Sequence, residues 1–276
     1  MRRSTDLMRW AGCVLAAALV ALPVLAAGAK DAKDAKGAKS VGAGPASGGY
    51  AAAAKVLDRY VEATGGKAAH EAVTSSVSKV TLTIPAQSIT LNMMLYQARP
   101  NRLYTRIESE MTGVIESGVS DSVAWEMSAM SGPRLKEGQE KADALRDAAF
   151  DALTDWRVYY PKVELAGVDT VDGAVCDKVV LTPATGTPRT MYLERASGLI
   201  RRYDLTVESP AGSLTVKSTL GDYRKEGAIL VPHRTEIDAL GQKRVMTVDS
   251  VAVNPDIPSE RFAPPAEVKK LLEAKK

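Results

Sequence analysis

Residues 78–98 read SKVTLTIPAQSITLNMMLYQA. On both sides of Pro85 the apolar residues fall on every second position: Val80, Leu82 and Ile84 before it, Ile89, Leu91, Met93 and Leu95 after it. A period of two is that of a strand with one face buried. Two such runs separated by a short break predict neighbouring antiparallel strands. Pro85 and Pro100 sit at the ends of the runs, where a missing N–H does not interrupt a ladder.

The same alternation continues over residues 102–108, 113–119 and 122–128, and returns over 162–166, 175–182, 189–195, 199–208, 213–223, 229–239 and 243–253. Asp172-Gly173 and Ser197-Gly198 mark hairpin turns. Short connections between about a dozen such segments imply an antiparallel meander. The pattern breaks at Ser131-Gly132-Pro133, and residues 139–157 (QEKADALRDAAFDALTDWR) have the helical period, with Ala142, Leu145, Ala149, Ala152, Leu153 and Trp156 as the apolar stripe. A helix over 51–63 places Val56, Leu57, Tyr60 and Val61 on one face and stops at Gly65-Gly66; a short one over 67–73 follows. The tail 254–265 holds four prolines and is expected to cap the sheet, with a last helix over 266–274. A sheet this long curls. The expected fold is mainly β: a strongly curved antiparallel sheet, or half-open barrel, with a helical lid on its concave side.

The chain begins with Arg2, Arg3 and Arg9, an apolar run from Trp10 to Ala27 and the small residues Ala27-Gly28-Ala29. That order of charge, apolar core and small-residue site is a cleaved secretory signal over residues 1–29. Arg2-Arg3 is followed by Ser4-Thr5-Asp6, a poor continuation for twin-arginine export, and Cys13 lies too early in the apolar run for a lipoprotein signal. Residues 30–49, KDAKDAKGAKSVGAGPASGG, lack apolar bulk and read as a disordered Lys/Ala/Gly-rich linker. The domain is expected over 50–276. Removing the signal takes away three arginines and one aspartate, so the formal +3 falls by two to about +1. A near-neutral chain has no electrostatic footprint for nucleic acid. Cys176 is then the only cysteine, in an apolar strand-like run, and an internal disulfide is excluded.

Motifs of the common catalytic classes are missing together. His70-Glu71 begins an H-E-x-x-H zinc motif, but position 74 is Thr. The only other histidine, His233, precedes Arg234 in a strand. No G-x-S-x-G elbow, no phosphate-binding G-x-x-x-x-G-K-[ST] loop and no G-x-G-x-x-G after a strand is present. The expectation is a protein that is not an enzyme, with no cofactor and no metal.

Four spaced pieces resemble the LolA-like family of periplasmic outer-membrane lipoprotein-sorting proteins. Residues 94–103, Met-Leu-Tyr-Gln-Ala-Arg-Pro-Asn-Arg-Leu, are similar to the family's strand–Arg-Pro-Asn–strand segment. Val119-Ser120-Asp121 with Val123-Ala124-Trp125 resembles its "SDG…W" segment, with Ser122 in place of the glycine. Arg195-Ala196-Ser197-Gly198-Leu199-Ile200 resembles its "TGL" hairpin, and Asp256-Ile257-Pro258-Ser259-Glu260-Arg261-Phe262 its "DIPDxxF" ending. The pieces span about 77–265 in the family's order. The resemblance implies a half-open barrel whose apolar concave face is closed by helices. It makes Arg99 the arginine that holds the lid through hydrogen bonds to helix or loop carbonyls.

Such a cavity shelters acyl chains, each buried CH₂ contributing about 0.8 kcal/mol. The candidate lining is the one-face set Val80, Leu82, Ile84, Ile89, Leu91, Met93 and Leu95, with Trp125, Met127, Met191 and Leu193 from later strands. Met93, Met94, Met127 and Met130 add adaptable thioethers. Arg99, Leu153 and Trp156 are the candidate lid residues. The expected function is a periplasmic carrier of lipid or lipoprotein cargo, passing it to an inner- or outer-membrane delivery partner and acting as a monomer. The alternative is a non-catalytic protein-interaction platform in the cell envelope, built on the same sheet with a filled interior.

Overall fold

The computed structural model describes residues 49–109, 113–209, 212–239 and 241–275. The expected signal segment, 1–29, and residues 30–48 of the expected linker lie outside the described residues. Two helices come first, α1 (Tyr50–Ala63) and α2 (Lys67–Glu71). The first meander follows: β1 (Ser75–Ile84), β2 (Ile89–Ala98), β3 (Arg102–Ser109), β4 (Gly113–Ser120), β5 (Val123–Ser128) and β6 (Gly132–Leu135). The insert holds α3 (Gly138–Asp147) and α4 (Trp156–Tyr159). The second meander is β7 (Lys162–Val171), β8 (Ala174–Thr182), β9 (Arg189–Glu194), β10 (Ile200–Ser209), β11 (Gly212–Glu226), β12 (Ile229–Ala239) and β13 (Gln242–Val253), and α5 (Ala266–Glu273) ends the described chain.

All strands belong to one 13-stranded sheet, in the order β6-β5-β4-β3-β2-β1-β13-β12-β11-β10-β9-β8-β7. Each meander is continuous in sequence, and the two meet at a seam where β1 pairs antiparallel with β13 (Val77 opposite Ala252, Leu82 opposite Met246). The sheet does not close on itself: β6 and β7 are its free edges, and the insert carries the chain from one edge to the other.

Two details depart from the sequence reading. Residues 132–135 form a thirteenth strand although Pro133 interrupts the pattern there; β6 is an edge strand, where a proline leaves no inner ladder short of a donor. The helical period over 139–157 resolves into two helices. α3 ends at Asp147, and the chain turns through 148–155, where the Phe150 N–H donates to the Pro100 carbonyl at 3.1 Å.

The concave face carries two adjoining cores. The first limb, β1–β5 with β11–β13, supplies Val80, Leu82, Leu91, Met93, Leu95, Ile107 and their neighbours. The second limb, β7–β11, supplies Val179, Leu181, Met191, Leu193 and Tyr203. Leu205 packs against both, so the apolar surface is continuous. On the convex face a third cluster gathers Tyr104, Trp125, Phe262 and Val268. There Tyr96, Tyr104, Gly118 and Trp125 stand in one row across β2 to β5. Gly118 leaves room for the indole, since a Cβ at that position would sit 2.6 Å from Trp125 Nε1. The proline-rich tail and α5 cover this row through Phe262 and Val268, as expected of a capping segment.

Candidate functional site

Strand alternation decides where the candidate lining residues lie. Val80, Leu82, Leu91, Met93 and Leu95 are buried together in the first limb, with Ile89 packed at their margin. Ile84 is buried and continues the row of Val80 and Leu82. Met191 and Leu193 lie on the same face but in the second limb. Trp125 and Met127 do not join them. In β5 the inward positions are Ala124 and its even-numbered neighbours, so the odd positions Trp125 and Met127 point to the convex cluster. Adjacency in sequence to an inward strand did not reveal which parity faces in.

The two limbs are covered differently. Over the second, α1 lays Ala53, Leu57 and Val61 against the sheet, and Trp156 and Tyr160 fill the space beside it, all fully or nearly fully buried. Trp156 Nε1 donates to Asp58 at 3.2 Å and its ring stacks at a tilt on Tyr50. Leu153 also packs here. The two hydrophobic lid candidates of the insert therefore sit against α1 in the second limb, because the turn at 148–155 redirects the chain after α3. Over the first limb, among the described residues, α3 and the residue that caps it contribute Ala144, Ala148 and the flank of Leu145, with Ala69 from α2.

Ion pairs pin α3 at both ends. At its start, Glu126 points inward from β5 and is buried beside the equally buried Lys136 at 3.5 Å; Arg134 reaches Glu126 at 3.1 Å and Glu140 at 2.7 Å, and Lys136 reaches Glu140 at 3.0 Å. Burial alone would raise the Glu140 carboxyl, but Arg134 and Lys136 outweigh it and hold the group at about 2. At the end of α3, buried Asp147 accepts from Arg189 Nη2 of β9 at 2.6 Å. Burial works against the charge on Arg189, and Asp147 with Tyr160 more than offsets it, so its pKa is raised.

Arg99, just past β2, joins three segments. Its Nε donates to the Val73 carbonyl at 2.5 Å and its Nη2 to the His70 carbonyl at 2.9 Å, both at the C-terminal side of α2. Its guanidinium also grips the Asp151 carboxylate through both nitrogens, Nη2 to Oδ1 at 2.7 Å, and lies 5.1 Å from the centre of the Phe150 ring. Both acceptors are main-chain carbonyls at the end of α2, and Asp151 extends the contact to the insert. His70 is buried beside it, with Nε2 2.9 Å from Thr64 Oγ1. Burial, opposed in part by Asp151 and aided by Arg99, pushes its imidazole down to about 4.

Between α3, α4 and residues 183–185 an open groove of about 590 Å³ runs along the rim, walled by Ala142, Leu145, Val158, Tyr159 and Pro183. Among the described residues no group of three or more His, Cys, Asp or Glu side chains is placed to hold a metal ion, and no helix is long and apolar enough to cross a membrane.

Sequence reasoning missed Asp147, Asp151, Glu126 and Lys136. Two of the partners left a signal. Arg189 shares the parity of Met191 and Leu193, and Glu126 that of Ala124, and a charge on an inward row predicts a buried counter-charge. Which residue supplies that counter-charge depends on contacts distant in sequence.

The fold and its clasped insert define a class of protein: an open, strongly curved antiparallel sheet with helices over its hollow. No protein-family model matches the chain, and no curated protein is similar to it in sequence. Solved structures are similar in fold. A LolA superfamily protein from Nitrosomonas europaea is 15% identical with a TM-score of 0.52, covering 77% of this chain and 97% of that one. An outer-membrane lipoprotein-sorting protein domain from Vibrio parahaemolyticus is 12% identical with a TM-score of 0.52, covering 80% and 99%. A DUF1329 family protein from Desulfovibrio piger is 14% identical with a TM-score of 0.54, covering 78% and 98%. The chain therefore has the LolA-like fold.

Proposed function

We propose that this protein is a periplasmic carrier that shelters the acyl chains of a lipid or lipid-modified protein against the first limb of its concave face and delivers them toward the outer membrane. One observation carries the reading: a continuous apolar surface from Val80 to Met246 is covered by a helix that offers it little more than two alanine methyls and one leucine flank. A cover of small side chains forfeits little when it lifts, while an acyl chain in its place regains about 0.8 kcal/mol per buried CH₂. Val80, Leu82, Ile84, Ile89, Leu91, Met93 and Leu95 form the lining in this reading, and Met191 and Leu193 continue the floor into the second limb. The likeness in fold to a lipoprotein-sorting domain supports it.

Arg99 is the clasp of the lid in this reading, since it ties the end of β2, α2 and the insert together. Delivery then needs a partner that favours the open form.

The test is native and denaturing mass spectrometry of residues 30–276 purified from the periplasm without detergent. A lipid or acylated peptide that survives native conditions and leaves on denaturation supports the carrier. A bare mass, with no uptake of added phospholipid or lipopeptide, defeats it and favours the interaction platform. In the same assay a folded Arg99→Leu variant is expected to lose or trap cargo; loading equal to that of the parent would remove the clasp from the mechanism.

A further inference from the structure

We propose that the rim groove seats the head of an anionic lipid, with Lys141 as its counter-charge. The inference rests on the carrier reading and narrows its cargo. α3 carries five charged side chains: Glu140, Lys141, Asp143, Arg146 and Asp147. Four are neutralised within the protein. Glu140 is paired with Arg134 and Lys136, Asp143 with Arg146, and Asp147 with Arg189. Lys141 forms no ion pair among the described residues, and it lines the groove.

The remaining walls are chiefly apolar. Among the described residues lining it, Lys141 and Arg146 are the only charged side chains, and none is a carboxylate. Arg146 is itself buried, donating to Asp143 at 2.5 Å and to the Thr185 carbonyl at 3.4 Å, and its Nε lies 3.7 Å from Asp147 Oδ1, so its charge is compensated within the protein. The groove thus pairs an apolar bed with an uncompensated cation. That arrangement fits an amphiphile whose head is a phosphate or carboxylate, and an ammonium binds either as a point charge. Its volume of about 590 Å³ lies within the range of small-molecule sites. Leu145 touches the groove and also the first-limb core, so a chain held by its head at Lys141 lies beside the surface that would take its tail.

The test compares lysophosphatidylglycerol with lysophosphatidylcholine of the same acyl length, each below its micelle concentration, by calorimetric titration of residues 30–276 at low salt. The anionic lipid is expected to bind about fivefold more tightly, the scale of one partly exposed charge pair. The ratio falls to about one in Lys141→Gln and is retained in Lys141→Arg. Equal binding of both lipids by the parent protein overturns the proposal and leaves the carrier reading standing. A preference that survives in Lys141→Gln overturns the assignment to this groove. Binding of neither lipid overturns the carrier reading and this proposal with it.

Discussion

The second limb of the concave face is packed by Trp156, Tyr160, Leu57 and Val61, whereas the first is covered by Ala144, Ala148 and Ala69 with one leucine beside them. An aromatic ring removes roughly 150–250 Å² from water, while each small aliphatic group contributes about 0.8 kcal/mol. Covers so unequal on one continuous sheet divide the labour. The second limb holds the fold together, and the first keeps its apolar strands beneath a helix that is fastened mainly by charges at its ends. Both limbs are equally buried, so burial alone does not separate them under the carrier reading proposed above. What differs between them is the size of the side chains in the cover.

The largest effect is expected in the second limb. Trp156→Ala should cost about 4 kcal/mol of stability, the scale of a large aromatic deleted from a packed core, read as a shift in the urea midpoint. Lipid retained per folded molecule should not change. Lost retention would show that the limbs act as one cavity.

Asp147→Asn removes the charge that compensates buried Arg189. A loss of about 3 kcal/mol is expected, because an uncompensated buried charge is left behind. Hydrogen exchange should report it first in α3. A uniform loss across both limbs would contradict an independently fastened cover.

A comparable loss is expected on acidification. Burial holds the His70 imidazole down to about 4 in the folded chain, against an ordinary value of 6.5. Between these values the unfolded chain binds a proton that the folded chain refuses. Stability should therefore fall as pH drops through that window, by about 3 kcal/mol in all. Glu140, held at about 2 against 4.5, contributes stability that is lost only as pH falls from 4.5 through 2, so the two windows are largely separate. His70→Gln should flatten the upper window. An unchanged profile in that variant would place the titrating group elsewhere.

The smallest change in stability is the sharpest test of the comparison. Ala144→Met adds bulk beneath the cover of the first limb. In a filled core such overpacking costs about 1–3 kcal/mol. Above a surface that exchanges its cover for ligand it should cost less than about 1 kcal/mol and reduce lipid uptake. A large destabilisation with uptake intact would mean that the first limb is an ordinary core.

Much of the fold was legible because strand alternation is local. Val80 to Leu95, the later strands, the flanking helices and the capping tail all follow from period and punctuation. β6 was hidden by Pro133 and by its length of four residues. The break in the insert was hidden because 148–155 keeps the helical spacing of alanines while Phe150 and Asp151 are held by Pro100 and Arg99, about fifty residues away in sequence. Arg99 was singled out by its Arg-Pro-Asn setting. Its partner Asp151 was not, and neither was the convex placement of Trp125 and Met127, since period two gives the alternation without saying which side is inside.

The seam between the meanders has a kinetic consequence. β1 opens the sheet in sequence, yet one of its two neighbours is β13, the last strand, with Ser76 opposite Val253. During synthesis β1 emerges early and stays an unsatisfied edge until nearly the whole domain is available. Unpaired strand edges recruit other chains. Closing so long a loop is slow, which makes completion of the seam a late event in folding. The alternating apolar row that begins at Val80 is the segment most in need of protection while the chain waits for its far end.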